Sequence, residues 1–562
     1  MKGNTLIAMI ALLHAIGLNA QSFEWAKSIG GSLADYGLSI ALDASGNVYT
    51  TGYFQGTADF DPGAGTANRT SAGGRDIWVQ KLDASGNFIW ARSFGGSSDD
   101  IGRSITVDAS GNVYTTGYFQ GTADFDPGTG TANITSAGNE DIFIQKLDAS
   151  GNFLWAKSFG GSLADYGLSI AVDAAGNVYT TGYFQGTADF DPGAGTANHS
   201  SIGNEDIFVQ KLDTSGDFVW ARSFGDSNSD RGNSICVDAS GNVYTTGGFD
   251  GTVDFDPGAG TTNLTSEGSL DVYVQKLNAT GNFVWAKSFG GSLNDQGFSI
   301  TVDDSGNVHT TGSFEGTVDF DPGAGSATRT SSGSLDVFVQ KLNASGTYDW
   351  AISFGASSSD QGYSVTVDAS GNVYTTGSFL GTADFDPGSG TANLTSAGPC
   401  DVFIQKINAS GNFVWAKSFG GNSIDAGNAI TVDASGNVYT TGHFAGTVDF
   451  DPGVGTANLT SAGNYDVFVQ KLSQGVSGIL DIGAGIQIRA FPNPSKGLVQ
   501  LFFEKAFNNV EITLTDFQGK VVFTKQLDVT TNEKMEIEGS AGIYFLNVKT
   551  PQGQNVLKLI KE

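Results

Sequence analysis

The chain has 562 residues, 39% hydrophobic and 15% charged, with a formal net charge of −30. That apolar content excludes a disordered chain, and the acidity argues against nucleic acid or anionic membrane as a partner. The charge is uneven: from Ser477 onward nine basic residues balance nine acidic ones, so the whole excess lies upstream.

The first element is an export signal. Lys2, an apolar stretch over 6–13 and small residues ending at Ala20 predict a secretory signal over 1–20, cleaved before Gln21. The stretch is too short for a membrane-spanning helix. No later segment has the length and apolarity of one.

Residues 21–476 are repetitive. Trp25, Trp90, Trp155, Trp220, Trp285, Trp350 and Trp415 fall 65 residues apart, and the string Asp-Phe-Asp-Pro-Gly starts at Asp59 and recurs six times on the same spacing. One unit reads as four strands. In the unit after Trp90 they lie at 104–108, 112–119, 141–147 and 153–159. Turns at 108–112 and 148–152 each carry a glycine able to take positive φ. A long connection between the second and third strands carries the Asp-Phe-Asp-Pro-Gly string. No stretch has a helical period. Strands apolar on both faces need neighbours on both sides. Four strands per unit and seven units predict an all-β, seven-bladed β-propeller, with the tryptophans as packing anchors. The repeats begin with a fourth strand near Trp25 and end with a third at 466–472. The first strand is thus expected to complete the last unit. Cys236 and Cys400 occupy different repeat positions and read as isolated thiols.

The unit's GxSIxVDxSGNVYTTG and DxFVQKLDxSGNFxWAKSFGG segments resemble the SBBP seven-bladed β-propeller repeat family over residues 22–473. The resemblance implies the architecture and little about activity.

Residues 477–485 read as a linker, and 486–562 as a small β-sandwich with strands at 499–503, 511–515, 521–524, 535–537, 543–548 and 556–560. This tail resembles the type A C-terminal sorting domain of the type IX secretion system. The matching positions are Pro492, Asn493, Pro494, Gly497, Gly519, Gly542, Tyr544 and Lys558. The resemblance implies the type IX machinery as a partner and passage across the outer membrane of a Gram-negative bacterium. It also implies removal of the tail, followed by release or attachment to surface lipopolysaccharide.

Five aspartates recur in every unit: in the first, Asp35, Asp43, Asp59, Asp61 and Asp76. Two readings apply to the Asp-Phe-Asp-Pro-Gly pair. In the first, the carboxylates accept bonds from local amides in Asx turns. In the second, hard oxygens two residues apart are Ca²⁺ ligands, at Asp59 and Asp61, Asp124 and Asp126, Asp189 and Asp191, Asp254 and Asp256, Asp319 and Asp321, Asp384 and Asp386, and Asp449 and Asp451. The connections bearing Asp35, Asp59, Asp61 and Asp76 are expected on one face, which would display rings of carboxylates. His199, His309 and His443 share no repeat position, which argues against a histidine metal site. No HExxH, P-loop or nucleophile-elbow motif occurs.

The chain thus reads as an exported surface or secreted propeller that binds a glycan or a protein without catalysis. The alternative is an extracellular hydrolase or lyase acting on polysaccharide. Asymmetry discriminates: an enzyme needs one unit with distinctive polar residues, and the divergent stretches near 226–231, 347–349 and 399–400, with Ile352, look scattered along the sequence.

Overall fold

The computed structural model describes residues 21–474 and most of the tail; residues 1–20, 475–478, 481–487, 492–494, 517–519, 541, 552 and 562 lie outside the description. The signal call on 1–20 falls outside it. The described residues are strands and turns, and two compact units carry them, Phe23–Ser473 and one containing Gln474–Glu562.

The first repeat shows how each is built. Strand β1 (Gln21–Gly31) is followed by β2 (Tyr36–Leu42), β3 (Val48–Asp59), β4 (Asn68–Leu82) and β5 (Phe88–Gly96). Strands β2 to β5 pair antiparallel in order, β2 with β3, β3 with β4 and β4 with β5. The turns are where the glycines predict them: Gly46 has φ 78° and Gly86 φ 77°. Asp43 caps the first turn. Its Oδ1 accepts from Ser45 N at 2.9 Å and Asn47 N at 3.0 Å, and its Oδ2 from Asn47 Nδ2 at 2.7 Å and Tyr49 Oη at 3.0 Å.

One detail differs from the sequence reading. The stretch between the second and third strands is itself a paired hairpin in this repeat: Thr57 to Asp59 lie opposite Thr70 to Asn68. The Thr57 and Thr70 hydroxyls bond at 2.8 Å. Each side of this hairpin is three residues long, with Ala58 as its buried apolar side chain, too short for a pattern search.

Other repeats follow the same four-strand order, as in the sheets starting at Tyr166–Val172, Arg231–Val237 and Gln361–Val367. The last repeat holds Ala426–Val432, Val438–Phe444 and Asp466–Gln474, and β1 adds beside Asp466–Gln474 as its fourth strand. Lys471 Nζ contacts Glu24 Oε1 at 3.0 Å across that pair. The last repeat also abuts the first: Asn428 Nδ2 donates to Gly37 O at 2.8 Å, and Asp35 N to Tyr465 O at 2.8 Å.

Packing between repeats is aromatic. Trp90 stands edge-on to Tyr49, with centroids 6.2 Å apart, and donates Nε1 to Ala149 O of the next repeat at 3.3 Å. Trp25, Trp90, Trp220 and Trp415 are buried, as expected of anchors. Cys236 and Cys400 are both free.

In the tail, several short strands of the sequence reading fuse. Leu498–Asp516 pairs along most of its length with Val521–Glu536 and over its second half with Gly542–Thr550, which in turn pairs with Gly553–Lys561. Val499, Leu501, Ile512, Leu514, Ile537, Leu546 and Leu559 build its core. Gly497 has φ 110°, a conformation that favours glycine, and its carbonyl accepts from Ile537 N at 2.7 Å. Tyr544 is buried and donates its hydroxyl to Ser540 O at 2.7 Å. Gly542 begins its strand at φ 156°, open to its surroundings. Pro492, Asn493, Pro494, Gly519 and the Lys558 side chain lie outside the described residues.

Candidate functional site

The recurrent aspartates divide by what their oxygens face. Asp35 and its equivalents are buried in every repeat, as are Asp76 and its equivalents, so these two sets are not displayed on a face as the sequence reading had them. Asp35 Oδ2 accepts from Gly31 N at 2.7 Å and its Oδ1 from Gln55 N at 3.1 Å, tying the connection between β1 and β2 to β3. Asp76 Oδ2 accepts from Ala72 N at 2.9 Å, while its Oδ1 has no hydrogen-bond partner. The same orphan oxygen recurs at Asp141, Asp206, Asp271, Asp336 and Asp466.

That orphan meets the Asp35-type carboxylate of the following repeat. A Cβ added to Gly160 would lie 2.9 Å from Asp141 Oδ1 and 2.8 Å from Asp165 Oδ2, so both carboxylates press on one glycine at the junction. Burial penalises their charged forms. It pushes Asp76 up to about 7 and Asp100 to about 6, Asp141 to about 6 and Asp165 to about 7.

The Asp-Phe-Asp-Pro-Gly carboxylates are half-buried and engaged locally. Asp59 Oδ1 accepts from Asp61 N at 3.0 Å and Ala67 N at 2.8 Å, and Asp61 Oδ1 from Gly63 N at 2.8 Å. The Asp124/Asp126, Asp189/Asp191, Asp254/Asp256, Asp319/Asp321, Asp384/Asp386 and Asp449/Asp451 pairs repeat this geometry. Among the described residues no three His, Cys, Asp or Glu side chains converge on a metal-sized position.

Differences between repeats concentrate elsewhere. Aligned on the 65-residue period, several columns diverge, and four of them belong to one cluster of contacts. The column starting at Tyr36 reads Tyr36, Ile101, Tyr166, Arg231, Gln296, Gln361, Ala426. The one at Tyr53 reads Tyr53, Tyr118, Tyr183, Gly248, Ser313, Ser378, His443. The others start at Leu38 and Arg75. The pairing explains why they vary together. Tyr36 lies opposite Tyr53 across β2 and β3, and Arg75 opposite Gln55 across β3 and β4. All four columns therefore meet at one end of the sheet, directly above the buried Asp35 and Asp76.

There they form an arc of half-buried rings running from the last repeat through the first three. His443 and Tyr465 pack on Tyr36 with centroids 4.5 and 5.5 Å away, and Tyr36 stacks on Tyr53 at 4.9 Å. Farther along, Tyr118 meets Tyr166 at 4.5 Å and Tyr166 stacks on Tyr183 at 4.9 Å. Guanidinium groups interleave: Arg75 lies 4.9 Å over Tyr53, Arg103 5.6 Å over Tyr118 and Arg231 4.7 Å over Tyr183. Burial and the neighbouring Tyr36 hydroxyl push Tyr53 up to about 12, and burial lowers His443 to about 4, so both are neutral at neutral pH. Glu205 holds Arg231, with Nε to Oε2 at 2.6 Å and Nη2 to Oε1 at 3.0 Å.

The arc ends where Gly248 replaces tyrosine. A cavity of about 340 Å³ opens there, lined by Asn204, Asn228, Ser229, Arg231, Gly248, Asp250, Leu270 and Gln296. Sequence reading missed this site because it looked for divergent stretches. The signal was divergent columns, two of which bear residues it did note, His443 and Cys400.

Comparison with known proteins agrees with the repeat and the tail. Residues 24–56, 89–121, 154–186, 284–313 and 349–378 match the SBBP beta-propeller repeat, and residues 489–562 match the secretion system C-terminal sorting domain. The chain thus carries propeller repeats and a sorting tail read by the type IX machinery, which directs it to the cell surface or the medium of a Gram-negative bacterium. An uncharacterized WD repeat-containing protein of Acanthamoeba polyphaga mimivirus is 25% identical over 434 residues, 64% of this chain and 31% of that protein. Regulatory protein FlaEY of Caulobacter vibrioides is 26% identical over 265 residues, 45% of this chain and 25% of that one. The matches thus span under a third of these relatives' lengths. An exotype rhamnogalacturonan lyase structure aligns over 95% of this chain and 91% of its own at 9% identity, with a TM-score of 0.28, too low to bear on fold or activity.

Proposed function

We propose that the chain is an exported, non-enzymatic glycan-binding protein that holds its ligand on the aromatic arc. One observation carries this reading: four columns that differ between repeats converge in one place, and there they present Tyr, His and Arg side chains. The ring faces are taken up by stacking and by the guanidinium groups, so the arc offers ring edges, phenol hydroxyls and guanidinium N–H groups to sugar hydroxyls. Successive rings contribute contacts that add in avidity along one polysaccharide. Binding is favoured over hydrolysis because Glu205 is spent on Arg231 and Glu140 lies against Tyr166. Neither stands in a free carboxylate pair.

The architecture we infer is a signal over 1–20, a closed seven-bladed ring over 21–476, a linker at 477–485 and a sorting β-sandwich over 486–562. Strand β1 beside Asp466–Gln474 favours closure. In the tail, the register break between Phe502 and Phe507 would let long strands fold over into two layers. After export and loss of the tail, the ring is either released or held on surface lipopolysaccharide. The Asp-Phe-Asp-Pro-Gly carboxylates act in this reading as turn formers without Ca²⁺.

A glycan array tests the function, comparing the exported protein with a Tyr53→Ser/Tyr118→Ser/Tyr183→Ser variant. Serine is the chain's own choice in that column at Ser313 and Ser378, so the fold is expected to survive. Retention of carbohydrate by the parent and its loss in the variant are expected. Unchanged retention in the variant would overturn the reading.

A further inference from the structure

We propose that the recess at Gly248 is a terminal subsite that takes the uncharged end of a hexose polymer; this rests on the glycan reading of the arc. The recess is a local loss of volume. Tyr53, Tyr118 and Tyr183 occupy the column that Gly248 leaves empty. A Cβ at Gly248 would meet only ordinary contacts, 3.4 Å from Gln296 Cγ and 3.6 Å from Leu270 Cδ2. Ser313 and Ser378, also small, are buried, so the column's other small residues do not open in the same way.

The lining chemistry selects the ligand. Asp250 supplies a carboxylate and Gln296 an amide, and among the described residues neither side chain is hydrogen-bonded to a neighbour. A carboxylate accepts from two adjacent hydroxyls and an amide both donates and accepts, a set that matches a polyol. Leu270 gives a sugar's apolar face a surface. The one cation of the recess is already committed: Arg231 is bonded twice by Glu205 and lies over Tyr183. An acidic sugar entering here would thus meet Asp250 with no free counter-charge, which disfavours uronates and sulfated sugars. Continuity with the arc sets the direction, because the Tyr183 ring under Arg231 is the last ring of the Tyr118–Tyr166–Tyr183 run. A chain lying along those rings runs into the recess, and the narrow pocket receives its end.

Calorimetric titration of the full chain with a neutral hexose hexasaccharide and an oligogalacturonate of equal length tests this. The neutral ligand is expected to bind at least ten-fold tighter. Gly248→Tyr should weaken it ten-fold or more without moving the melting temperature, since tyrosine is the residue of three sister repeats. Should that variant melt lower, Gly248→Ser reads the same pocket with a smaller side chain. Asp250→Asn should raise the oligogalacturonate affinity several-fold. Equal or tighter binding of the uronate would overturn the assignment. If Gly248→Tyr binds like the parent while the triple arc variant does not, the recess is wrong and the arc stands. If the parent retains no carbohydrate at all, both fall.

Discussion

The buried floor of each repeat and the arc above it are separated by a single residue, yet they follow opposite rules. Asp35 and Asp76 are the same in every repeat and bond backbone amides. Their neighbours Tyr36 and Arg75 change between repeats and both pack on Tyr53. A carboxylate that ties connections together leaves the side chains beside it free to vary, because the backbone there no longer depends on them. Identity among the repeats therefore marks the scaffold, and the divergent columns of the arc mark the surface we propose for binding.

Removing residues 23–30 attacks the scaffold at its seam and should have the largest effect. It deletes the outer strand of the last repeat together with buried Trp25 and Ile29, side chains whose loss typically costs about 2–5 kcal/mol each. It also exposes a bare sheet edge. Thermal denaturation should start well below that of the parent and lose cooperativity. A melt like the parent's would mean that the repeats do not depend on the seam.

A smaller break is Gly160→Ala, which places a methyl group between the Asp141 and Asp165 carboxylates. Overpacking of this kind costs about 1–3 kcal/mol, measurable as a lowered denaturation midpoint. By contrast, Gly248→Tyr in the arc should leave that midpoint unchanged, and together the two variants test whether floor and arc are energetically separate.

Acidity sharpens the comparison further. The folded junctions hold protons to about pH 6 or 7, as at Asp100 and Asp165, whereas an unfolded aspartate releases its proton near pH 4. Over that window the folded chain binds more protons, so stability falls as pH rises through it. Asp43, Asp108, Asp173, Asp238 and Asp303 are held low by side-chain and backbone amide bonds, and their contribution is lost only as pH falls below the ordinary carboxylate range. Melting temperature should thus be several degrees higher at pH 5 than at pH 8 at fixed ionic strength. Asp141→Asn, which removes one proton-binding site, should flatten the slope. A melting temperature that rises from pH 5 to pH 8 would exclude this account.

Much of the scaffold was legible in the sequence, because glycines of positive φ and a strict period leave marks in the residue order. Gly46, Gly86, Asp43 and the buried Trp25, Trp90, Trp220 and Trp415 do what their spacing implies, whereas Trp155, Trp285 and Trp350 are only partly buried. The hairpin at Thr57 and Thr70 was not legible, since each of its sides is only three residues long and shows one apolar side chain at most. Nor was the arc. Tyr36 and Tyr465 lie more than 400 positions apart and meet only because the last repeat returns to the first. The orphan oxygen of Asp76 was equally hidden: its repeat position is visible, but the carboxylate beside it, Asp100, belongs to the following repeat.

The smallest expected effect concerns cations, and it decides whether the displayed aspartates belong with the floor. Asp59 Oδ1 already receives two backbone amides, and Asp61 Oδ1 one. Those N–H dipoles stabilise the carboxylates where they stand, and a Ca²⁺ ion, wanting six to eight oxygens, would have to compete with them. Melts of the full chain in EDTA, in CaCl₂ and in NaCl of matched ionic strength should coincide. Bound Ca²⁺ at a hundred times its dissociation constant would instead add about 2.7 kcal/mol per site, a shift easily seen when several sites fill. A Ca²⁺ shift abolished by Asp59→Asn/Asp61→Asn and the equivalent changes in every repeat would make these turns ligands after all. A shift that survives those changes would move the ion to the buried junctions, where the Asp76 Oδ1 is an oxygen that no amide answers.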